Sequence, residues 1–241
     1  MSTRLLGGYP PGVAAWFVDT CRLKPTSRVL VAGPLAADLA AHADVEPYPL
    51  PGQPEKPGGV AALRAGLRGR AGSRRGTAKR DVGGQTAGRD VQPAEAIIVA
   101  EAGHRLDAAG YEYLAGHLLP GGRLGLCWSL RDDRYGFVRR LERLLPLLAE
   151  DEQRYRAGLW REHLAAAGFV PPRQQVFQAF RIADPDDIAG ALADLPVSRA
   201  LPASERRELR RALSAELALQ ARADGLIELP GRVDCYWTER T

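Results

Sequence analysis

Apolar positions in this chain recur in two rhythms. Short unbroken apolar runs, "RVLVA" at 28–32, "AEAIIVAE" at 94–101 and "RLGLCWSL" at 123–130, carry the aliphatic and β-branched side chains of strands buried on both faces. Helical spacing fills the gaps. Val13, Trp16, Phe17 and Cys21 predict a helix over 10–23 that opens on Pro10 and Pro11, and 35–41 predicts a helix of about two turns. "DAAGYEYLAGHLL" predicts another, with Asp107 as its N-cap, and Pro120-Gly121-Gly122 then reads as a turn. Strand, helix, strand with short joints is a right-handed parallel crossover, so the fold class is α/β. Prolines and glycines crowd Val45, so any strand there is brief. Farther on, leucines at helical spacing predict a helix over 137–148, and "RYRAGLWREHLAAAG" predicts one over 154–168 that Gly168 caps. A strand at 169–182 and helices at 186–195 and 202–221 follow, the last with Leu209, Leu213 and Leu217 on one face. "LIELPGRVDCYWTER" closes the chain as a strand.

A length of 241 residues suits one domain over 1–241 with a substantial core. No apolar run approaches the roughly 18 residues that span a bilayer. The first residues, "MSTRLLGGYPPG", lack an apolar core followed by a small-residue cleavage site. A cytoplasmic protein without membrane contact is expected. Cys21, Cys127 and Cys235 are widely spaced and read as reduced thiols, and the four histidines show no metal-ligand spacing, so no metal is expected. Net charge of +4 is mild and does not by itself call for nucleic acid. One stretch stands apart. Residues 64–92 are dense in Arg and Gly and nearly free of large apolar side chains, which reads as a poorly ordered insert. Two other readings stay open: a nucleic-acid-binding segment, against which the lack of interleaved aromatics argues, and a stretch altered by compensating frameshifts.

Five stretches in this order carry a resemblance: "GYPP", "RVLVAG", "AIIVAEAGHRLD", "LLPGGRLGLCWSLRDD" and "RYRAGLWREHLAAAGF", with "ELPGRVDCYW" closing. Together they resemble the class I S-adenosylmethionine-dependent methyltransferases, in particular the small-molecule branch that includes relatives of trans-aconitate methyltransferase. The likeness covers nearly the whole chain apart from roughly 50–93, and "W-x-x-R-D-D" with "RYR-x-G-x-W" is its narrowest part. It implies a Rossmann-like, mostly parallel seven-stranded sheet with an antiparallel last strand and helices on both faces. It also implies S-adenosylmethionine at the carboxyl ends of the first strands, and methyl transfer to a carboxylate or hydroxyl oxygen of a small molecule.

The resemblance also nominates site residues. The family's first motif, D-x-G-x-G-x-G, lets backbone N–H groups approach the donor's methionine portion. Here Val31 takes the acid's place, Gly33 is the glycine that is kept, and Pro34 removes an N–H. Glu46 in "VEP" matches the acid that accepts from the ribose hydroxyls, Ala78 in "GTA" matches the adenine-flanking segment, and Glu101 follows the fourth strand. His104, at the sheet's carboxyl edge, is the candidate base, a backbone-bonded loop histidine being the alternative. Trp128 would wall the acceptor pocket and Arg131 would attract an anionic acceptor, or else form a structural network with Asp133. Trp160 and Arg161 are expected to pack their helix. The altered glycine motif keeps a second reading open, a degenerate homologue that has lost the cofactor and serves as a binding or regulatory protein. A nucleic-acid binder working through the Arg/Gly tract is a distant third.

Overall fold

The computed structural model describes residues 8–50, 91–145 and 150–240. Ala78 and all but the last two residues of the Arg/Gly tract lie outside them. Among the described residues the strands are β1 (Arg28–Ala32), β2 (Asp44–Pro47), β3 (Ala94–Ala100), β4 (Leu118–Arg131), β5 (Arg173–Ala183) and β6 (Ile227–Glu239). The helices are α1 (Pro11–Thr20), α2 (Ala36–Leu39), α3 (Ala108–Gly116), α4 (Gly136–Leu144), α5 (Glu150–Ala157), α6 (Leu159–Ala166), α7 (Pro185–Ala193), α8 (Pro196–Arg199) and α9 (Ala203–Ala218), with a 3₁₀ turn at Gly103–Arg105.

The strands form one sheet in the order β2-β1-β3-β4-β6-β5. β2, β1, β3 and β4 are mutually parallel, while β6 runs antiparallel to both β4 and β5, as expected for a closing strand inserted against the others. Alternation along the strands divides the core between the two faces. Leu30, Ile97, Val99, Leu124 and Leu126 meet α3 and α6 on one side, whereas Val29, Val31, Ile98, Cys127 and Cys235 meet α1 and α2 on the other. A third cluster, with Leu141, Ile188, Leu192, Leu213, Leu217 and Leu229, joins α4, α7 and α9 to the start of β6.

The predicted turn at 120–122 is instead an irregularity inside β4. Ala94 faces Leu118 and Ala96 faces Arg123, so four residues of β4 stand opposite Glu95. Backbone pairing resumes at Arg123 because the apolar run 124–128 must face β3 in register. The single helix predicted over 154–168 is two, broken at Gly158, whose φ of +77° lies outside the helical region. Gly168, at φ +81°, follows α6 as the predicted left-handed cap. Asp107 caps α3 by accepting a hydrogen bond of 2.8 Å from the Gly110 amide. All three cysteines are buried free thiols.

Candidate functional site

The chain runs from β1 outward to β2 and then returns across the sheet to β3, so the strand order reverses between β1 and β3. In open α/β sheets a crevice forms at such a reversal, beyond the carboxyl ends of the strands. Gly33 and Glu101 follow the two strands that border it.

Gly33 adopts φ +114°, and a Cβ there would lie 2.6 Å from the Ala100 carbonyl oxygen and 2.9 Å from Ala100 Cβ. The glycine therefore brings the end of β1 against the end of β3. Glu101 extends the β3–β4 ladder by one rung, its amide donating to the Cys127 carbonyl at 2.9 Å. Its φ of +65° is left-handed, a conformation that costs a side chain of L-chirality about 1–2 kcal/mol. Two donors hold the strained residue in place. The Tyr9 hydroxyl, arriving from the segment before α1, and the Ser129 amide donate to the same carboxylate oxygen at 2.8 and 2.9 Å. Burial pushes the Glu101 carboxyl above its ordinary range, and these hydrogen bonds offset that only in part.

A titration follows from this burial. Because the folded chain holds the Glu101 proton more tightly than the unfolded chain, folding stability falls as pH rises from the ordinary value of 4.5 through the folded-state pKa. Asp132 acts in the opposite sense. The Arg134 guanidinium holds its carboxyl below the usual range, so its contribution is present at neutral pH and lost as pH falls through the folded value. Denaturant midpoints of wild type and Glu101→Gln between about pH 2 and 8 separate the two. The variant keeps the acid-side loss and is expected to lack the fall on the alkaline side. Parallel curves would place Glu101 in solvent.

The opposite face of the sheet carries the second cluster. Trp128 donates its indole N–H to His104 Nδ1 at 2.9 Å. Indole nitrogen is a donor only, so Nδ1 is the accepting nitrogen and the neutral ring carries its proton on Nε2. The expected alternative for His104, a bond from the ring to backbone, is replaced at Nδ1 by this indole. Trp128 is only 2% exposed, packed against Tyr155, Trp160 and Tyr236 at ring separations of 4.8, 4.9 and 5.6 Å. Polar groups are built into the same cluster. The Tyr155 hydroxyl donates to Asp234 Oδ2 at 2.6 Å and shares a 2.8 Å hydrogen bond with the Tyr236 hydroxyl, which accepts from Arg161 at 3.1 Å. Arg161 also lies over the Trp160 ring at 4.3 Å, so both residues pack their helix as expected. Asp234 Oδ1 and Arg232 Nε are 3.2 Å apart but not aligned, and both are buried without a hydrogen bond.

The remaining nominated residues sit apart from these clusters. Glu46 pairs with Leu30, two residues short of the end of β1, and its carboxylate bonds Arg28 Nη2 at 2.5 Å while 47% exposed. Arg131 is paired with Glu142 of α4 at 3.3 Å. Asp133 bonds Arg156 at 2.7 Å and lies 3.8 Å from Arg232. Among the described residues no three His, Cys, Asp or Glu side chains converge to hold a metal. No helix among them is long and apolar enough to cross a membrane. Sequence reasoning gave no role to Tyr9, Tyr155, Asp234 or Tyr236. The two-residue step from Asp234 to Tyr236 on a strand, which puts both side chains on one face, was the available signal.

Sheet order and the antiparallel β6 between β4 and β5 define the α/β, Rossmann-like fold of methyltransferases. The YcgJ protein of Bacillus subtilis superposes with a TM-score of 0.51 at 15% identity, covering 95% of this chain and 99% of that one. A candidate methyltransferase of Bacillus halodurans superposes with a TM-score of 0.50 at 16% identity, covering 94% and 98%. In sequence, the chain is 44% identical over 57 residues to uncharacterized methyltransferases of Mycobacterium tuberculosis and Mycobacterium bovis. That match spans 23% of this chain and 24% of each relative. No family model matches the chain.

Proposed function

We propose that the protein is an S-adenosylmethionine-dependent methyltransferase acting on an oxygen of a small molecule, most simply a carboxylate. The carrying observation is the buried, strained Glu101 side chain beside the strand-order reversal, the place where open α/β sheets generally take their ligands. S-adenosylmethionine, when bound, supplies an electrophilic methyl group on a positively charged sulfur. The donor set suits that charge: burial disfavours the ionised form of Glu101, and a cation beside it in this poorly solvated place would favour that form and be attracted by it. Glu46, exchanging Arg28 for ribose hydroxyls, and Ala78 complete the proposed contacts together with Gly33. On the acceptor side, Trp128 holds His104 so that whatever faces Nε2 meets a donor, not a base. A carboxylate is already anionic and needs no base, which favours it over a hydroxyl. Arg131, at the end of β4, adds positive charge on that side.

A second reading has its own observation. The space that Gly33 leaves is filled by Ala100, and Glu46 is engaged by Arg28, as in a homologue that has given up the donor. Isothermal titration with S-adenosylmethionine and S-adenosylhomocysteine decides between the two. Micromolar binding that weakens about tenfold or more in Glu101→Ala is expected. No heat from a folded sample would leave the second reading standing. If binding is seen, methyl transfer from labelled donor to a panel of small carboxylic acids and alcohols tests the acceptor class.

A further inference from the structure

The two ends of the sheet are built differently. At one end of the described sheet, β2 is four residues long, carries Asp44 and Glu46, and stops at Pro47, which are the usual protections of an open edge. At the other end, β5 runs for 11 residues with no proline and no lysine. Among the described residues, nothing pairs with its outer side. Its inner face is used: Phe177 lies edge-on to Trp16 at 6.2 Å and Ala179 is buried. Its other face is apolar and bare, with Val176, Phe180 and Ile182 exposed by 39, 47 and 57%. Exposed Tyr135 stands beside it, across a cleft of about 450 Å³ lined by Arg134, Tyr135, Gln178 and Phe180.

We propose that this edge pairs with β5 of a second copy, antiparallel about a two-fold axis through Gln178, joining two sheets into one. The strand is complementary to itself in that register. Gln178 is its midpoint, so all of Arg173–Ala183 finds a partner residue. Val176 then stands opposite Phe180 of the second copy, and Ile182 opposite Gln174, on the bare face. Arg181 faces Gln175 and Arg173 faces Ala183, so no like charges oppose each other. Opposed residues must share a face, so neighbouring registers differ by a whole residue at the axis. An axis at Phe177 sets Arg173 against Arg181 twice. An axis at Ala179 leaves Arg173 and Gln174 unpaired and puts Phe180 against Gln178. The strand thus selects one arrangement, and an isologous contact of this kind closes at two copies.

Light scattering on the eluting full chain, at tens of micromolar, is expected to give twice the chain mass. A single Gln178→Cys substitution should yield a disulfide-linked dimer on mild oxidation, because the axis places residue 178 beside itself while the native cysteines are buried. Val176→Lys with Phe180→Lys should weaken the dimer at least tenfold without loss of helical circular dichroism, since both side chains are exposed. A monomeric wild type overturns the proposal. So does a dimer that survives the double lysine variant and fails to cross-link through residue 178.

Discussion

Trp128→Ala is expected to cost about 4 kcal/mol of folding stability, the range found when a buried tryptophan is cut back to a methyl group. The size follows from what the indole touches. It fills the space between Tyr155, Trp160 and Tyr236 and lies close to Gly103, where a Cβ would come within 2.9 Å of its ring. Its removal leaves a cavity beside the buried Tyr155–Asp234 hydrogen bond, where water entry would loosen the polar cluster as well. Trp128→Phe separates packing from hydrogen bonding. It keeps most of the ring and loses the N–H, for a cost of about 1–2 kcal/mol. Only this second variant releases His104 Nδ1 in an otherwise folded protein, so the ¹⁵N shifts of His104 should move from one tautomer to a mixture. An unchanged histidine spectrum in Trp128→Phe would remove the tryptophan as the element that orients it.

The second large effect is at Gly33. Gly33→Ala is expected to destabilise by about 3 kcal/mol, summing a left-handed backbone penalty and an overpacked contact. The contact cannot be relieved cheaply, because the nearest atom, at 2.6 Å from the added Cβ, is the carbonyl oxygen of Ala100 in the central strand β3. Gly121→Ala provides the comparison. Its φ is +76° with nothing within 4 Å of the added methyl, so it carries the backbone penalty alone, about 1 kcal/mol. Urea denaturation of both variants reads the difference. If the two cost the same, β1 and β3 are not pressed together at Gly33. Any shift of Ala100 also moves Glu101, so on the proposed function the Gly33 variant should lose the proposed donor binding where the Gly121 variant keeps it.

Much of the architecture was legible because buried parallel strands announce themselves as unbroken apolar runs. β1 spans Arg28–Ala32 and β3 begins at Ala94, where those runs predicted them. Local chemistry was legible too: Asp107 and Gly168 are caps, and caps are set by a residue and its immediate neighbours. Reading failed where distant pairing outweighs local preference. Pro120-Gly121-Gly122 looks like a turn in isolation, but the pairing of Leu118 and of Arg123 onward with β3 takes it up as an irregularity within one long strand. The site was less legible than the fold. Charged side chains can swing, so the ion pairs of Arg131 with Glu142 and of Glu46 with Arg28 were not readable from the sequence. Tyr9 and Glu101 meet across 92 positions of chain, a separation that no motif spacing reveals.

The placement of β6 has a consequence for how the chain acquires its shape. This strand, the last in chain order, inserts between β4 and β5, with rungs from Arg123–Glu239 to Arg131–Gly231 on one side and from Arg173–Trp237 to Ala183–Ile227 on the other. Until it emerges from the ribosome, β4 lacks its antiparallel partner and β5 has no strand to pair with among the described residues, so the nascent chain cannot yet close its sheet. Such non-local pairing is slow, and it leaves apolar strands exposed to chaperones and proteases during synthesis. Pulse-labelling during translation should find protease resistance arriving in one late step, after residue 239 has cleared the exit tunnel.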